Sequence, residues 1–333
     1  MPRTLTGRRA HWACSRSRRA LSLLASIGTL AAATGGCPPE STDPGINPPQ
    51  SSFGYSNSTD PTNGGAALVG TSGCSACHRD LGGQFAAHGH SEAGVGCESC
   101  HGPGGNHVPF PSRRDLYVDV SVANCAQCHG SLDAPDTIPA RDGYIAPLAQ
   151  YSELRASGGH ADFNCGYCHD PHATSRTADA GGIRNDCTAC HEEMNLAFHE
   201  GETYTRGDYV EPLTCRSCHM PLTGLSSTAL GPDAIGPDAR AGDVRGHIFR
   251  IDVVNSSFAA MFDESGTVVR NDEQGRAAVT IDFVCLRCHN GIGSAFSIRA
   301  TTAIEIAADM HEKADILADL PDARAALRAE AER

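Results

Sequence analysis

The sequence is short of the residues that build an ordinary hydrophobic core. Aromatic residues make up 5% of its 333 residues, with a single Trp, while Gly and Pro number 36 and 19. A chain of this composition is rich in loops and has little material for a conventional interior. Lysine is nearly absent, Lys313 being the one Lys among 26 basic residues. Positive charge is in the minority overall, 26 against 39 acidic residues, for a formal charge of −13. That balance argues against nucleic acid as a partner and for a basic patch on a partner protein. Long apolar runs are missing too. Leu21 to Ala33 is the one extended apolar stretch, too short to cross a bilayer, and no transmembrane helix is expected after it.

Cysteine and histidine are what the chain has instead. Fourteen of its 16 Cys fall in seven repeats of Cys-x-x-Cys-His. They are Cys74/Cys77/His78, Cys97/Cys100/His101, Cys125/Cys128/His129, Cys165/Cys168/His169, Cys187/Cys190/His191, Cys215/Cys218/His219 and Cys285/Cys288/His289. Two thiols three positions apart lie on one side of a helical turn. There they can form thioethers with both vinyl groups of a haem, and the next residue, His, can bind the iron as proximal ligand. This is the attachment signature of haem c. Exported cysteines also pair as disulfides, but disulfides do not explain a His after every second Cys. Structural zinc uses paired Cys-x-x-Cys sites, yet seven identical His placements would be surplus ligands. Redox-active Cys-x-x-Cys of the thioredoxin kind lacks its surrounding pattern here. Seven covalently bound haem c groups, packed nearly in contact in place of an apolar core, are the expectation.

The histidine count points the same way. Of 16 His, seven are proximal and His11 lies in the N-terminal leader. The others are His88, His90, His107, His160, His172, His199, His247 and His311. If the His88-Gly-His90 unit supplies one ligand, with His90 weakly preferred, seven distal His remain for seven irons. Ligation of every iron by two His is then the simplest reading. Each candidate also has an ordinary alternative: His247 and His311 as packed core residues, His199 as a surface residue. Met194, Met220, Met261 and Met310 are rival ligands, although Met220 directly follows proximal His219 and cannot reach the far side of that haem.

The N-terminus reads as an export signal, residues 1–36. Its six Arg are unaccompanied by any acidic residue, so removal takes the formal charge from −13 to −19. Thr34-Gly35-Gly36 then leads to Cys37, in the manner of a bacterial lipoprotein site, with cleavage by ordinary signal peptidase as the alternative. Residues 37–67 read as a lipidated Cys and a flexible Pro-rich tether. The expected setting is periplasmic or outer-surface, anchored to a bacterial membrane through lipid.

Residues 68–225 form an expected six-haem region, and 226–333 a β patch (about 244–284), the seventh haem and a C-terminal helix. The β patch is expected as a hairpin or three strands, and the helix over Ala300 to about Leu320. A two-haem repeat is visible. His90, Cys97 to Pro103, His107 and Asn124-Cys125 correspond to His160, Cys165 to Pro171, His172 and Asn185-Asp186-Cys187. The fold class implied is a multihaem cytochrome c: irregular loops and short α-helices around stacked haems.

These motifs resemble those of the multihaem cytochrome c superfamily. Cys97-Glu-Ser-Cys-His-Gly-Pro-Gly-Gly-Asn-His107 is similar to an element of the tetrahaem cytochromes linked to hydroxylamine oxidoreductase. Cys165-Gly-Tyr-Cys-His-Asp-Pro-His172 resembles one of periplasmic decahaem conduit subunits. Cys215-Arg-Ser-Cys-His-Met-Pro221, with Asp243-Val-Arg-Gly-His247, is similar to elements near the C-terminus of many such proteins. The resemblance implies distal-ligand roles for His107, His172 and His247, and redox partners of the quinol-oxidase or porin–cytochrome kind. Electron transfer through closely packed haems, with no catalytic residue, is the function expected. The alternative is an oxidoreductase acting on a small nitrogen or sulfur compound at one five-coordinate haem. Lysine-ligated catalysis does not fit, because Lys313 lies in no such motif.

Overall fold

A computed structural model describes residues 66–112, 115–116, 122–130, 134, 136–175, 181–196, 199–308 and 310–311. Cys37, the leader and residues 38–65 of the tether lie outside the described residues; at its end Ala66 is buried and the Ala67 carbonyl accepts the N–H of Gly105 at 2.9 Å.

Regular structure comes in short pieces. Among the described residues the longest helices, Arg79–Ala86, Val122–His129 and Ala300–Ala307, have eight residues each. The Cys-x-x-Cys-His repeats themselves supply much of the helix. Cys215–His219 is one helical turn closed by a capping box, in which Thr214 and Ser217 exchange side-chain and backbone bonds. Cys165–Cys168 is another, begun by the Asn164 side chain accepting the N–H of Gly166 at 3.0 Å. Such caps satisfy donors that a single turn leaves open. No helix of the described residues is long and apolar enough to cross a membrane.

Three small two-stranded sheets complete the frame. Ala140–Arg141 and Tyr144–Ile145 form an antiparallel hairpin. Its turn, Asp142-Gly143, has φ of 56° and 76°, the left-handed pair that a tight hairpin needs and that Asp-Gly accepts. Thr203–Arg206 and Tyr209–Pro212 make the second antiparallel pair. The third joins Ile251–Asp252 to Val279–Thr280 in parallel, in place of the hairpin or three strands expected across 244–284. Asp-centred loops cut that segment. Asp263 accepts the N–H groups of Thr267 and Val268, and Asp272 those of Gln274 and Arg276. The C-terminal helix is shorter than expected, Ala300–Ala307, with Ala303 buried; residues from 312 onward lie outside the described residues.

The apolar core is concentrated after residue 138. Ile138, Tyr144, Ile145, Ile248, Met261, Phe262, Val269, Val279 and Phe283 form one cluster, drawing on both sides of residue 225. Ile235, Ile281, Leu286 and Ala303 form a second. Before residue 138 the only buried apolar side chains among the described residues are Ala66, Pro103 and Ala126.

Candidate haem sites

Each repeat folds as one helical turn, as the spacing demands. The N–H of the His returns to the carbonyl of the first Cys: His78 to Cys74, His101 to Cys97, His169 to Cys165 and His289 to Cys285 at 3.0 Å, and His191 to Cys187 at 2.9 Å. This bond puts both sulfurs and the imidazole of a motif on one side of the turn. None of these fourteen Cys is in a disulfide. Among the described residues no group of three or more His, Cys, Asp or Glu gathers as a bare metal ion would require.

The thiols are not equally enclosed. Cys77, Cys128 and Cys190, the second Cys of the first, third and fifth motifs, are exposed. Cys288 is buried, and the other ten are intermediate. The difference follows the apolar core. Cys218 and Cys285, of the sixth and seventh motifs, pack against it, whereas no residue of the first, third or fifth motif belongs to either apolar cluster. The protein frame alone therefore does not cover Cys77, Cys128 and Cys190. Thioether formation needs a thiol within reach of a vinyl group, not burial, so the three keep the geometry of attachment while lacking a protein shell.

Every proximal imidazole faces a second one. Ring centroids lie 6.2 Å apart for His78 and His107, 6.0 Å for His101 and His172, and 5.7 Å for His129 and His90. They lie 6.1 Å apart for His169 and His247, 5.9 Å for His191 and His160, 6.0 Å for His219 and His311, and 5.9 Å for His289 and His199. No His serves twice. Two imidazoles on opposite sides of one metal, at roughly 2 Å per metal–nitrogen bond, bring their centroids to this spacing. The donor set thus fits haem iron with two axial His, beside a pair of thiols for the porphyrin.

The two histidines of the His88-Gly-His90 unit separate clearly. Nε2 of His90 lies 3.4 Å from Nε2 of His129. His88 turns away, its Nδ1 accepting the N–H of His90 at 3.0 Å to begin the helix Gly89–Glu92, its ring stacked on Phe85. Of the rival Met residues, Met261 is buried in the core and Met194 is exposed.

Five of these fourteen imidazoles are oriented by a hydrogen bond at Nδ1. His219 meets the Phe249 carbonyl at 2.8 Å, His289 that of Phe296 at 2.9 Å, and His107 and His311 those of Ser112 and Asn195 at 3.0 Å. His129 meets Oε1 of Gln150 at 3.1 Å. An Nδ1–H that donates to oxygen leaves Nε2 unprotonated and aimed at a metal. His247 differs: its Nδ1 is buried without a partner. Burial first, then neighbouring His169, pushes His247 down to about 4, so its ring is neutral near pH 7. The backbone N–H of His247 donates to the buried Glu153 at 2.6 Å.

Successive motifs are clipped together by groups that sequence reasoning passed over. Glu98, inside the second motif, accepts the N–H groups of Val69, Gly70 and Gly104, tying it to the helix Gly70–Ser75 that carries Cys74. Asn124 donates to the Cys100 carbonyl at 3.2 Å, and Asn185 to the Tyr167 carbonyl at 2.6 Å, the same clip in both copies of the two-haem repeat. Arg287, inside the seventh motif, donates to the Ser217 carbonyl of the sixth at 2.9 Å. It also forms a bidentate pair with Glu211 at 2.7 and 3.0 Å, joined by Arg245 at 2.9 Å and the Tyr209 hydroxyl at 2.7 Å. Glu98, Arg287 and Ser217 occupy the variable positions of their motifs, where nothing in the local pattern marks them. The Asn residues were visible as part of the repeat.

Comparison with known proteins adds the following. Residues 89–192 match the family described as Cytochrome c3. The dissimilatory sulfite reductase MccA of Wolinella succinogenes is 25% identical over 243 residues, 58% of this chain and 33% of that protein. The C-type polyheme cytochrome OmcC of Geobacter sulfurreducens is 28% identical over 236 residues, 62% of this chain and 26% of that protein. The multiheme cytochrome MtrA of Shewanella baltica is 22% identical over 150 residues, 41% of this chain and 39% of that protein. A solved structure of the Wolinella succinogenes octaheme sulfite reductase MccA aligns with a TM-score of 0.37 at 22% identity, over 57% of this chain and 34% of that one. The chain therefore spans between a quarter and two fifths of the length of these relatives.

Proposed function

We propose that this chain, a multihaem c-type cytochrome, is an electron carrier holding seven haem c groups, each with two axial histidines. The observation that carries the reading is the one-to-one facing of seven proximal by seven distal imidazoles near 6 Å. Bound iron supplies a one-electron Fe(III)/Fe(II) couple. The chain's residues would do the rest: the paired thiols would hold each porphyrin through thioethers, the two facing imidazoles would hold its iron, and oxygens at Nδ1 orient the rings of His107, His129, His219, His289 and His311. Because the first motif is clipped to the second, the second to the third, the fourth to the fifth and the sixth to the seventh, the proposed path follows chain order from the first motif to the seventh.

The alternative, an oxidoreductase acting on a small nitrogen or sulfur compound, is favoured by the likeness to MccA. Such chemistry needs an iron with an open face and groups to move protons. Here every proximal His faces a second His, which supports the carrier. The net negative charge supports a partner with a basic surface, and redox proteins of the quinol-oxidase or porin–cytochrome kind are proposed. The proposed setting is outside the cytoplasm, with lipid at Cys37; palmitate labelling lost in Cys37→Ala tests the anchor.

Single substitution of the distal His residues tests the ligation. Low-temperature electron paramagnetic resonance of oxidised His107→Ala, His160→Ala or His199→Ala should show one high-spin haem in seven. His88→Ala should show none. High-spin signal in His88→Ala with none in His90→Ala would reverse the assignment.

A further inference from the structure

Two of the clips between motifs carry buried charge, and the charges are opposite. Between the first and second motifs stands Glu98, 7% exposed. Its oxygens accept three backbone N–H groups, from Val69 at 2.9 Å and from Gly70 and Gly104 at 2.8 Å. No ion pair among the described residues includes it. Three neutral N–H donors bring no positive charge to offset that of the carboxylate.

Between the sixth and seventh motifs two guanidinium groups meet one carboxylate. Arg287 and Glu211 are 3% and 4% exposed. Arg245, half-buried, donates to Glu211 and to the carbonyls of Arg216 and Met220 in and beside the sixth motif. Arg287 Nε is buried without a partner. The cluster therefore carries one net positive charge. Asp282, near the seventh motif, does not reverse this. Its carboxylate is taken up by Thr280 Oγ1 and the N–H groups of Phe258 and Phe283, and burial raises its protonation.

Reduction of a ferric haem removes one positive charge from its centre. A buried anion nearby disfavours that step and a buried cation favours it, and low local dielectric strengthens both. We propose that the haem file is polarised: Glu98 holds its N-terminal end at low potential, and the Arg245–Glu211–Arg287 cluster holds its C-terminal end at high potential. Electrons then run from the first motif toward the seventh. The step is electron transfer alone: one electron enters from a one-electron-reduced redox protein, one leaves to an oxidised one, and no bond forms or breaks. This inference rests on the carrier reading.

Spectroelectrochemical titration of the mature holoprotein tests it, after mass and spin state show seven low-spin haems in each charge variant. Glu98→Gln should raise the low-potential end of the titration and leave the high end in place. Arg245→Gln, at a half-buried site, should lower the high-potential end. The two effects should add in the double variant, because the sites share no partner. Glu98→Asp and Arg245→Lys, which keep the charges, should retain the wild-type span. A Glu98→Gln protein with an unmoved low end, or Arg245→Gln with a raised high end, overturns the polarity. A second route changes no charge. His107→Ala should withdraw a component from the low-potential end and His199→Ala one from the high end; the reverse assignment also overturns it. High-spin haem in the wild-type protein would instead defeat the carrier reading itself.

Discussion

The two ends of the described chain are built on different physics. Residues 138–303 have a hydrophobic core, with Ile138, Ile145, Ile248, Val279 and Phe283 each no more than 1% exposed. Residues 66–130 bury Ala66, Pro103, Ala126 and the charged Glu98, and offer little else. What orders the N-terminal part is polar: the three bonds to Glu98, the Asn124 clip and facing imidazoles. Its thiols show the consequence, Cys77 and Cys128 being exposed where Cys288 is buried; Cys190, within 138–303 but outside both apolar clusters, is exposed as well. Burial of apolar surface stabilises at roughly 25 cal/mol per Å², and this region has little to bury until porphyrin is added. Small core-poor units commonly depend on a cofactor or cross-link in this way. The C-terminal part has both, so its protein frame and its haem sites are separable in a way the N-terminal sites are not.

Withholding haem is the most severe way to break that comparison. In chain exported without haem attachment, hydrogen exchange should show amides of 66–130 unprotected while those of Ile248, Val279 and Phe283 stay slow. Equal loss in both regions would erase the distinction. A sharper probe keeps the haems. Phe283→Ala removes a fully buried ring and should cost about 3–5 kcal/mol, seen as earlier melting of the holoprotein. Phe85→Ala, a partly exposed ring stacked on His88, should cost under about 1 kcal/mol. Similar costs for the two would contradict the account. The smallest effect is in acid. Burial alone would raise Glu211, but its bonds to Arg287 overcome this and hold it at about 2, below its ordinary value of 4.5. A folded-state value below the unfolded one gives stability that is full above pH 4.5 and is lost as pH falls toward 2. Glu211→Gln should remove that acid-side slope from the C-terminal region and leave the N-terminal region unchanged.

The sites were legible in the sequence to the extent that their chemistry is local. Cys-x-x-Cys-His is written within five residues, and one helical turn realises it without tertiary help. The supply of distal His was also readable, as a count matched to the number of proximal ones. Which His meets which was not, because His101 meets His172 and His289 meets His199 across long loops whose course no short pattern encodes. His88 and His90 differ only in the direction each ring takes from the short helix between them. Glu98 and Arg287 sit at variable motif positions, and their importance arises from burial, which the motif does not report. The exposure of Cys77, Cys128 and Cys190 escaped the motif for the same reason, since seven identical patterns meet unequal surroundings. The frame shows the same division. A C-terminal helix starting at Ala300 followed from composition, though it was expected to reach about Leu320 and ends at Ala307, whereas the parallel pairing of Ile251–Asp252 with Val279–Thr280 depended on how two Asp-centred loops fold the chain between them. The Asp142-Gly143 turn was a missed local signal, an Asp-Gly pair between short apolar stretches.

One measurement reaches the centre of the account: low-temperature electron paramagnetic resonance of the oxidised mature protein, paired with its intact mass. Seven covalent haems, all low-spin, are the expected result. Fewer than seven, or a high-spin iron in the unmodified protein, would contradict it.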